Sequence, residues 1–299
     1  MPKVSPLKTP QIFVNGKKTR QDRLLPASFL EEKMFAFESL KSYGGVIFRL
    51  DEHLDRLFET AKTIGLELSR TREELTSEVI ESLKQASFPP PLSSPRLKRG
   101  EVGRGVEKNF FVRLMVDEYN SYIFILERKR PDVIYKQGVD LKTAVTRRHF
   151  PKAEPPEAKA NAFLNNVFAA MERELSGAFE SIFLDQEGYV TEAAIWNVFM
   201  VKAGILMTPG TGILRGVTRQ FVIECAVKEH LPVQETNLTR HDFWNADEAF
   251  LTNTSGEIVP IRSLDGRMIG TQVPGNMTKQ LMARFRKEVE KPACRQAGN

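Results

Sequence analysis

Apolar and polar residues recur along the chain with two periods, one typical of helices and one of strands. Between residues 50 and 66, apolar side chains recur three or four positions apart, which predicts an amphipathic helix. A second helix is predicted over 71–86, where Thr71 and Glu74 have the spacing of a capping box. Short apolar runs between turn residues predict strands. In the amino-terminal half these strands are predicted over 11–17, 34–40, 45–49, 109–116 and 121–127.

The carboxy-terminal half mixes the two periods again, with a larger share of strands. Helices are predicted over 159–175, opened by Lys159, and over 217–229, 239–244 and 277–289. Strands are predicted over 140–146, 181–185, 189–191, 196–201, 205–207, 249–252 and 259–263. The pattern predicts an α/β fold with α+β character, in which a small amino-terminal α/β domain precedes a larger, strand-rich one.

Two stretches break the periodic pattern and divide the chain. Residues 87–108 are dominated by Pro, Ser, Gly and Arg, which predicts a flexible insertion. Residues 128–138 are charged and contain Pro131, which is typical of an interdomain linker. The resulting divisions are a small domain at 1–127, a larger domain at 139–290 and a flexible tail at 291–299.

The composition is that of a soluble globular protein, and its main use is to argue against a nucleic-acid partner. Of the 299 residues, 41% are hydrophobic and 27% are charged. Part of the net charge of +5 lies at 96–104, where a nucleic-acid-binding arm is the alternative to a solvated surface. No aromatic residue follows Phe88 in that segment, so we expect no nucleic-acid partner.

Cysteine and histidine usage argues against a metal site or a disulfide framework. The two cysteines, Cys225 and Cys294, lack a CxxC neighbour, and the four histidines are scattered. The amino terminus lacks the apolar core of a signal peptide. No apolar run approaches the roughly 18 residues of a membrane span. We therefore expect a cytoplasmic protein that binds no metal and does not enter a membrane.

Motifs for several large enzyme classes are missing from the sequence. It contains no G-x-S-x-G nucleophile turn, no P-loop and no G-x-G-x-x-G after a strand. Hydrolase, nucleotide triphosphatase and NAD-dependent interpretations are therefore poorly supported.

A possible anion site lies where Gly216-Val217-Thr218 opens a predicted helix. Backbone N–H groups at a helix start favour a phosphate, and Thr218 adds a hydroxyl. A small polar loop at 252–256 follows a strand, and a turn at Gly188 leads to a carboxylate at Glu192. Taken one at a time, these features are also compatible with an ordinary helix start, a turn and a strand end.

The order of these features along the chain is much more specific. Arg56, Lys159, Glu192, Gly216-Val217-Thr218 and Thr254 occur in the order found in class IV aminotransferases, which the chain resembles. The resembling stretches are FVNGK at 13–17, FRLDEHLDRL at 48–57, the lysine segment at 159–170, GYVTEAAIWNVF at 188–199, TPGTGILRGVTR at 208–219 and ADEAFLTNTSGEIVP at 246–260. The resemblance implies the two-domain fold type IV and the cofactor pyridoxal 5′-phosphate (PLP).

The resemblance also implies a role for each candidate residue. Lys159 would hold PLP as a Schiff base and move a proton, which suits a lysine because burial lowers its pKa readily. Glu192 would pair with the pyridine nitrogen, so that the ring acts as an electron sink. The full set of implied cofactor-binding residues is Arg56, Lys159, Glu192, Asn197, Gly216, Val217, Thr218, Thr254 and Ser255.

The implied reaction exchanges an amino group between an amino acid and a 2-oxo acid such as 2-oxoglutarate. Branched-chain amino acids are the first substrate hypothesis, from Phe35, Phe37, Phe111 and Arg113, because Phe111-Val112-Arg113 resembles the aromatic-x-Arg strand of that group. The Arg-x-His motif of D-amino-acid transaminases has no counterpart at 116–120.

Other functions on the same fold stay open. They are a D-amino-acid transaminase, an (R)-amine transaminase, aminodeoxychorismate lyase and a non-catalytic binding protein. The resemblance also implies a homodimer in which each subunit lends a loop to the other's substrate pocket. The aromatic residues of the predicted hairpin at 34–49 suggest a contact surface.

Overall fold

The computed structural model of the chain describes residues in five ranges and groups them into two compact units. The described ranges are 10–19, 34–87, 109–148, 155–160 and 164–290. Within them, the amino-terminal unit extends to Lys129 and the carboxy-terminal unit runs from Arg130 to Glu288. The predicted tail at 291–299, and all of the predicted insertion except Ser87, lie outside the described residues.

An antiparallel sheet forms the frame of the amino-terminal unit. Its described strands are β1 (Gln11–Val14), β2 (Lys17–Thr19), β3 (Ala36–Tyr43), β4 (Val46–Ile47), β5 (Phe110–Val116) and β6 (Ser121–Glu127). They follow the order β2-β1-β6-β5-β3-β4. The β1–β2 hairpin closes on Asn15 and Gly16, which have φ values of 48° and 71°. These two residue types adopt that left-handed conformation at the least cost.

Two helices, α1 (Leu50–Thr63) and α2 (Arg72–Ser87), pack their apolar sides against one face of this sheet. Burial alternates along β3, as expected when one face of a strand contacts a core. The predicted capping box of α2 is confirmed. Thr71 Oγ1 accepts a hydrogen bond from the Glu74 N–H at 3.2 Å, and Glu74 Oε2 accepts one from the Thr71 N–H at 2.9 Å.

A larger mixed sheet forms the carboxy-terminal unit. Its described strands are β7 (Val139–Thr143), β8 (Glu180–Leu184), β9 (Val190–Ala193), β10 (Asn197–Lys202), β11 (Ile205–Thr208), β12 (Val233–Glu235), β13 (Glu248–Asn253), β14 (Glu257–Leu264) and β15 (Arg267–Met268). They follow the order β12-β11-β10-β13-β14-β7-β8-β9, and β15 pairs with β14. Parallel pairing joins β11 to β12, and β7 to both β14 and β8.

Helices accompany this sheet, as the α/β prediction requires. They are α3 (Val133–Gln137), α4 (Leu164–Ser176), α5 (Val217–Lys228), α6 (Arg240–Trp244) and α7 (Asn276–Val289). The short helix α3 lies inside the segment predicted as a linker, and its Ile134 belongs to the core of the carboxy-terminal unit. No helix in the described part of the chain combines the length and apolar character needed to span a membrane.

The two faces of the larger sheet differ in chemistry. Val198 and Met200 on β10 belong to the main apolar core. Because side chains alternate along a strand, Asn197 and Phe199 lie on the opposite face. There the ring of Phe199 stacks on Phe250 with centroids 5.0 Å apart. The candidate site is built around the buried amide of Asn197 on this second face.

Candidate active site

A carboxylate on β9 is buried and held from several directions. Glu192 is 5% exposed. Its Oε1 lies 2.8 Å from an Nη2 atom of Arg148. Its Oε2 accepts hydrogen bonds from Asn197 Nδ2 at 3.2 Å and from the backbone N–H of Leu214 at 3.0 Å. Three separate segments of the chain therefore fix the position of this acid.

Asn197 connects the acid to the loop that precedes α5. Its Nδ2 also donates to the backbone carbonyl of Leu214 at 2.8 Å. Its Oδ1 lies so close to Gly216 that a Cβ added at Gly216 would overlap it. Gly216 has φ −66° and ψ 132°, which other residues can adopt. The requirement for glycine therefore comes from close packing against Asn197.

The amino terminus of α5 presents backbone donors beside this loop. Gly216 is the N-cap residue and makes no side-chain capping bond. The intrahelical bonds begin with Gln220 N–H to the Gly216 carbonyl at 2.9 Å, so the N–H groups of Val217 and Thr218 precede them. The first turn contains no acidic residue. Such a helix start is suited to bind a phosphate or carboxylate.

An arginine from the same helix anchors the helix start to the sheet. Arg219 is buried, and its Nη2 donates to the Pro209 carbonyl at 2.9 Å and to Glu235 Oε2 at 2.6 Å. Its side chain therefore fixes the loop before α5 against β12.

The loop after β13 combines an unsatisfied hydroxyl with an ordered turn. Thr252 is 1% exposed, and its Oγ1 has no hydrogen-bond partner among the described residues. Thr252 pairs with Asn197 in the β10–β13 register, so the two side chains share a face of the sheet. The Ser255 hydroxyl donates to Asn253 Oδ1 at 3.2 Å and accepts from Arg130 Nη2 at 3.2 Å. Ser255 therefore orders the loop through its side chain, while Thr254 beside it is half-buried.

Lys159 lies in a turn segment before a helix, and the predicted helix start is wrong. The helix α4 begins at Leu164, whereas residues 155–160 form a turn and an isolated bridge. Residues 161–163 are outside the described residues. Lys159 is half-buried. The first turn of α4 is tied to the Glu192 region, because Asn166 contacts both Arg148 Nη1, at 3.2 Å, and the Ala194 carbonyl.

Arg56 belongs to the amino-terminal unit and has a carboxylate partner there. Its Nε and Nη2 donate to Oε1 and Oε2 of Glu38, both at 2.7 Å. His53 Nδ1 lies 2.8 Å from Glu38 Oε2. Burial by itself would raise the pKa of Glu38, but Arg56 and His53 outweigh it and hold that pKa well below its ordinary value. Burial lowers the pKa of His53, although Glu38 opposes the shift.

Three of the four residues predicted to line the substrate pocket, Phe37, Phe111 and Arg113, share one face of the smaller sheet, and Phe35 immediately precedes β3. Phe37 and Arg113 lie on this face, with the guanidinium carbon 4.5 Å from the ring centroid. The ring centroid of Phe111 lies 5.8 Å from the same guanidinium carbon of Arg113. Phe35 is fully buried and meets Tyr122 edge-on at 6.0 Å. Within the described residues, Arg113 contacts ring faces and forms no ion pair, and burial lowers its pKa.

Within the carboxy-terminal unit, the structure brings three of the predicted residues together. Glu192, Asn197 and Gly216 form one continuous network. Arg56 and the predicted pocket residues lie in the other unit. Sequence reasoning missed Arg148, because an arginine beside a second arginine in a polar stretch carries no signal of burial.

Comparison with known proteins gives the same assignment for fold and family. The structure of a branched-chain aminotransferase from Thermoproteus uzoniensis with norvaline superposes with a TM-score of 0.80. It is 28% identical in sequence and covers 94% of this chain and 95% of its own. A second similar structure is the crystal structure of a putative branched-chain amino acid aminotransferase from Thermotoga maritima, with a TM-score of 0.80 and 28% sequence identity. The similarity covers 95% of this chain and 97% of that chain.

Curated relatives extend this similarity. A putative branched-chain-amino-acid aminotransferase of Methanocaldococcus jannaschii is 32% identical over 92% of this chain and 95% of its own length. A D-alanine aminotransferase of Bacillus licheniformis is 29% identical over 85% of this chain and 87% of its own length. The family model of the class IV aminotransferases matches residues 36–264. The chain therefore belongs to the class IV aminotransferases, which are PLP enzymes.

Proposed function

We propose that the enzyme transfers an amino group between a branched-chain amino acid and a 2-oxo acid such as 2-oxoglutarate, using PLP held by Lys159. The observation that carries the proposal is the network that joins Glu192 through Asn197 to the start of α5. It connects a buried acid to a helix start that is suited to bind an anion. Those are the two groups that a phosphorylated pyridine cofactor requires.

The residues present fit PLP chemically. Glu192 is a buried carboxylate suited to hold a protonated ring nitrogen. The Thr252 hydroxyl is buried without a described partner on the same face, as expected beside a polar ligand. When bound, PLP supplies an electron sink for the electrons left on the substrate Cα.

Each residue of the chain would then have a defined task. Lys159 would bind the cofactor covalently through its amino group, and, once displaced by substrate, would move a proton between the substrate Cα and C4′ of the cofactor. Glu192 would keep the ring nitrogen protonated. The phosphate would be bound by a set of neutral donors and one cation: the backbone of Gly216, Val217 and Thr218, the side chain of Thr254, and Arg56.

Substrate recognition would fall to the aromatic face of the amino-terminal unit. Phe37 and Phe111 would offer apolar contacts for a branched side chain, and Arg113 would offer a cation for a carboxylate. Phe35 is fully buried and would support this region through its contact with Tyr122. The branched-chain relatives support this choice. The D-alanine aminotransferase relative supports a D-amino-acid transaminase as the second candidate.

A donor and acceptor screen tests the proposal. L-leucine, L-valine, D-alanine and an (R)-amine would each be offered with 2-oxoglutarate and with pyruvate. We expect the branched-chain L-amino acids with 2-oxoglutarate to react fastest. A preference for D-alanine would establish the second candidate instead. Release of pyruvate from aminodeoxychorismate without an acceptor would identify a lyase.

Borohydride reduction tests the lysine separately. It should fix PLP to the peptide that contains Lys159. Attachment to another lysine, such as Lys152, would refute the assignment.

We also propose that the enzyme is a homodimer in the cytoplasm. An exposed apolar stripe on α4 supports association, since its side chains are between 45% and 88% exposed. The stripe consists of Val167, Phe168, Met171 and Leu175. The aromatic residues of the amino-terminal hairpin do not provide such a surface, because Phe35 is buried and Phe37, Tyr43 and Phe48 are half-buried. Light scattering should give about twice the 33.9 kDa chain mass.

A further inference from the structure

A buried arginine without a predicted role lies against the proposed ring-binding acid. Arg148 follows β7 and is 6% exposed. Its Nη2 is 2.8 Å from Glu192 Oε1. Among the described contacts of the Glu192 carboxylate, Arg148 supplies a full positive charge, whereas Asn197 and Leu214 supply neutral donors.

Contacts that do not involve Glu192 fix the position of Arg148. Its backbone N–H donates to the Leu184 carbonyl at 2.9 Å. Its Nη1 donates to Asn166 Oδ1 at 3.2 Å, and its guanidinium lies 5.6 Å from the Phe183 ring centroid. The guanidinium is therefore held in place by β8 and α4 before any cofactor binds.

We propose that Arg148 is a positioning residue that holds Glu192 in the cofactor-free enzyme and shares this carboxylate with the cofactor ring in the loaded enzyme. The inference rests on the proposed function. An isolated carboxylate is very unfavourable in the protein interior unless a cation or a set of donors compensates it. Arg148 provides that cation while the site contains no pyridinium. A protonated ring nitrogen then adds a second cation to the same carboxylate.

Two consequences separate this role from ordinary packing. In cofactor-free enzyme, loss of Arg148 should be harmful mainly because Glu192 stays charged, so neutralising Glu192 should restore stability. PLP should also stabilise an Arg148 variant more than the wild-type enzyme, since its ring nitrogen would replace the missing cation. An arginine that only fills space would lower the stability of cofactor-free and loaded enzyme equally.

A double-mutant cycle in cofactor-free protein tests the first consequence. Urea unfolding would be measured for wild type, Arg148→Met, Glu192→Gln and the double variant. We expect Arg148→Met to lower the folding equilibrium constant about 100-fold or more. The folding equilibrium constant of the double variant should be at least about 10-fold higher than that of Arg148→Met. If Arg148→Met does not fold, recovery of soluble double variant is the supporting result, and failure of both overturns the proposal.

Arg262→Met is the matched control, because Arg262 forms a partly exposed ion pair with Asp140 in the same unit. Its folding constant should change by less than about 5-fold. Arg148→Lys should keep part of the stability, since it keeps the charge but loses the planar fork. Additive effects of Arg148→Met and Glu192→Gln would overturn the proposal.

Titration with PLP tests the second consequence. Unfolding of wild type and Arg148→Met would be repeated with saturating PLP, and binding would be followed by tryptophan fluorescence. A larger gain in stability for Arg148→Met supports the proposal, and an equal or smaller gain overturns it. The cycle in cofactor-free protein does not depend on PLP. A protein that fails to load PLP on Lys159 would refute the proposed function, whereas additive effects in a protein that loads PLP would refute only the role of Arg148.

Discussion

Each unit of the protein contains a buried glutamate paired with an arginine, and the two pairs have opposite roles in the proposed site. In the amino-terminal unit, the arginine Arg56 is the proposed phosphate ligand and Glu38 supports it. In the carboxy-terminal unit, the acid Glu192 is the proposed ring ligand and Arg148 supports it. In the proposed site, each buried ion pair would supply one charged group, and the other member of the pair would hold that group in place.

The two pairs also differ in what they connect. The Glu38 cluster joins α1 to β3 and includes His53, so its loss would act first on the packing of the amino-terminal unit. The Glu192 cluster joins loop segments to β9 and β10, beside the start of α5. Substitution of Glu192 itself should therefore appear first in cofactor chemistry.

Glu38→Gln should destabilise the amino-terminal unit by about 3–5 kcal/mol, because it leaves the Arg56 guanidinium buried without its carboxylate. Urea unfolding followed by circular dichroism would measure the loss. A decrease below about 1 kcal/mol would show that the pair contributes little to folding. Glu38→Asp serves as the control that keeps the charge and shortens the reach.

Glu192→Gln should lower turnover by roughly 100-fold or more, on the order of 3 kcal/mol, because a neutral amide cannot stabilise a protonated ring nitrogen. PLP should still bind through its phosphate. Steady-state kinetics and the absorbance of the purified protein would measure the two effects. Near-normal turnover with full PLP content would remove this role from Glu192.

Gly216→Ala should cost about 1–3 kcal/mol, because the new Cβ would overlap Asn197 Oδ1 and displace the loop before α5. We expect weaker PLP binding together with lower stability. Gly210→Ala is the matched control in the same loop, since its Cβ would lie 3.5 Å from the nearest atoms, at ordinary contact distance. Equal PLP affinity in both variants would contradict the close-packing argument.

Acidification should destabilise the amino-terminal unit through His53. Because the folded pKa of His53 lies below its ordinary value of 6.5, the unfolded chain binds a proton first, and stability falls as pH drops below about 6.5. The loss between pH 7.5 and 5.5 should be on the order of 1 kcal/mol. Urea midpoints at these pH values would measure it. His53→Gln should flatten the dependence, and an unchanged dependence in this variant would contradict the role of His53.

The sequence by itself was informative wherever a feature depends on neighbouring residues. Helical periodicity predicted α1, and the spacing of Thr71 and Glu74 predicted the capping box of α2. These features are local, because hydrogen bonds and steric limits within a few residues decide them. The order of motifs along the chain likewise predicted the family, and the family match confirms it.

Local patterns were misleading where a residue's neighbours in the sequence are not its neighbours in space. Periodicity placed Lys159 inside a helix, but α4 begins at Leu164. The side-chain contacts of Ser255, a cofactor-binding residue implied by the resemblance, could not be predicted either, because one partner is Asn253 and the other is Arg130, which lies far away in the sequence.

Tertiary structure alone decided which charges are buried and with which partners. The local pattern around Arg56 and Arg148 does not show that either side chain is buried, but the fold places each against a buried glutamate. Burial makes these pairings consequential, because an uncompensated charge is far more costly in the interior than in water. The sequence therefore identified the residue types of the site. The partners that hold those residues depend on the packing of strands and helices that are distant in the sequence.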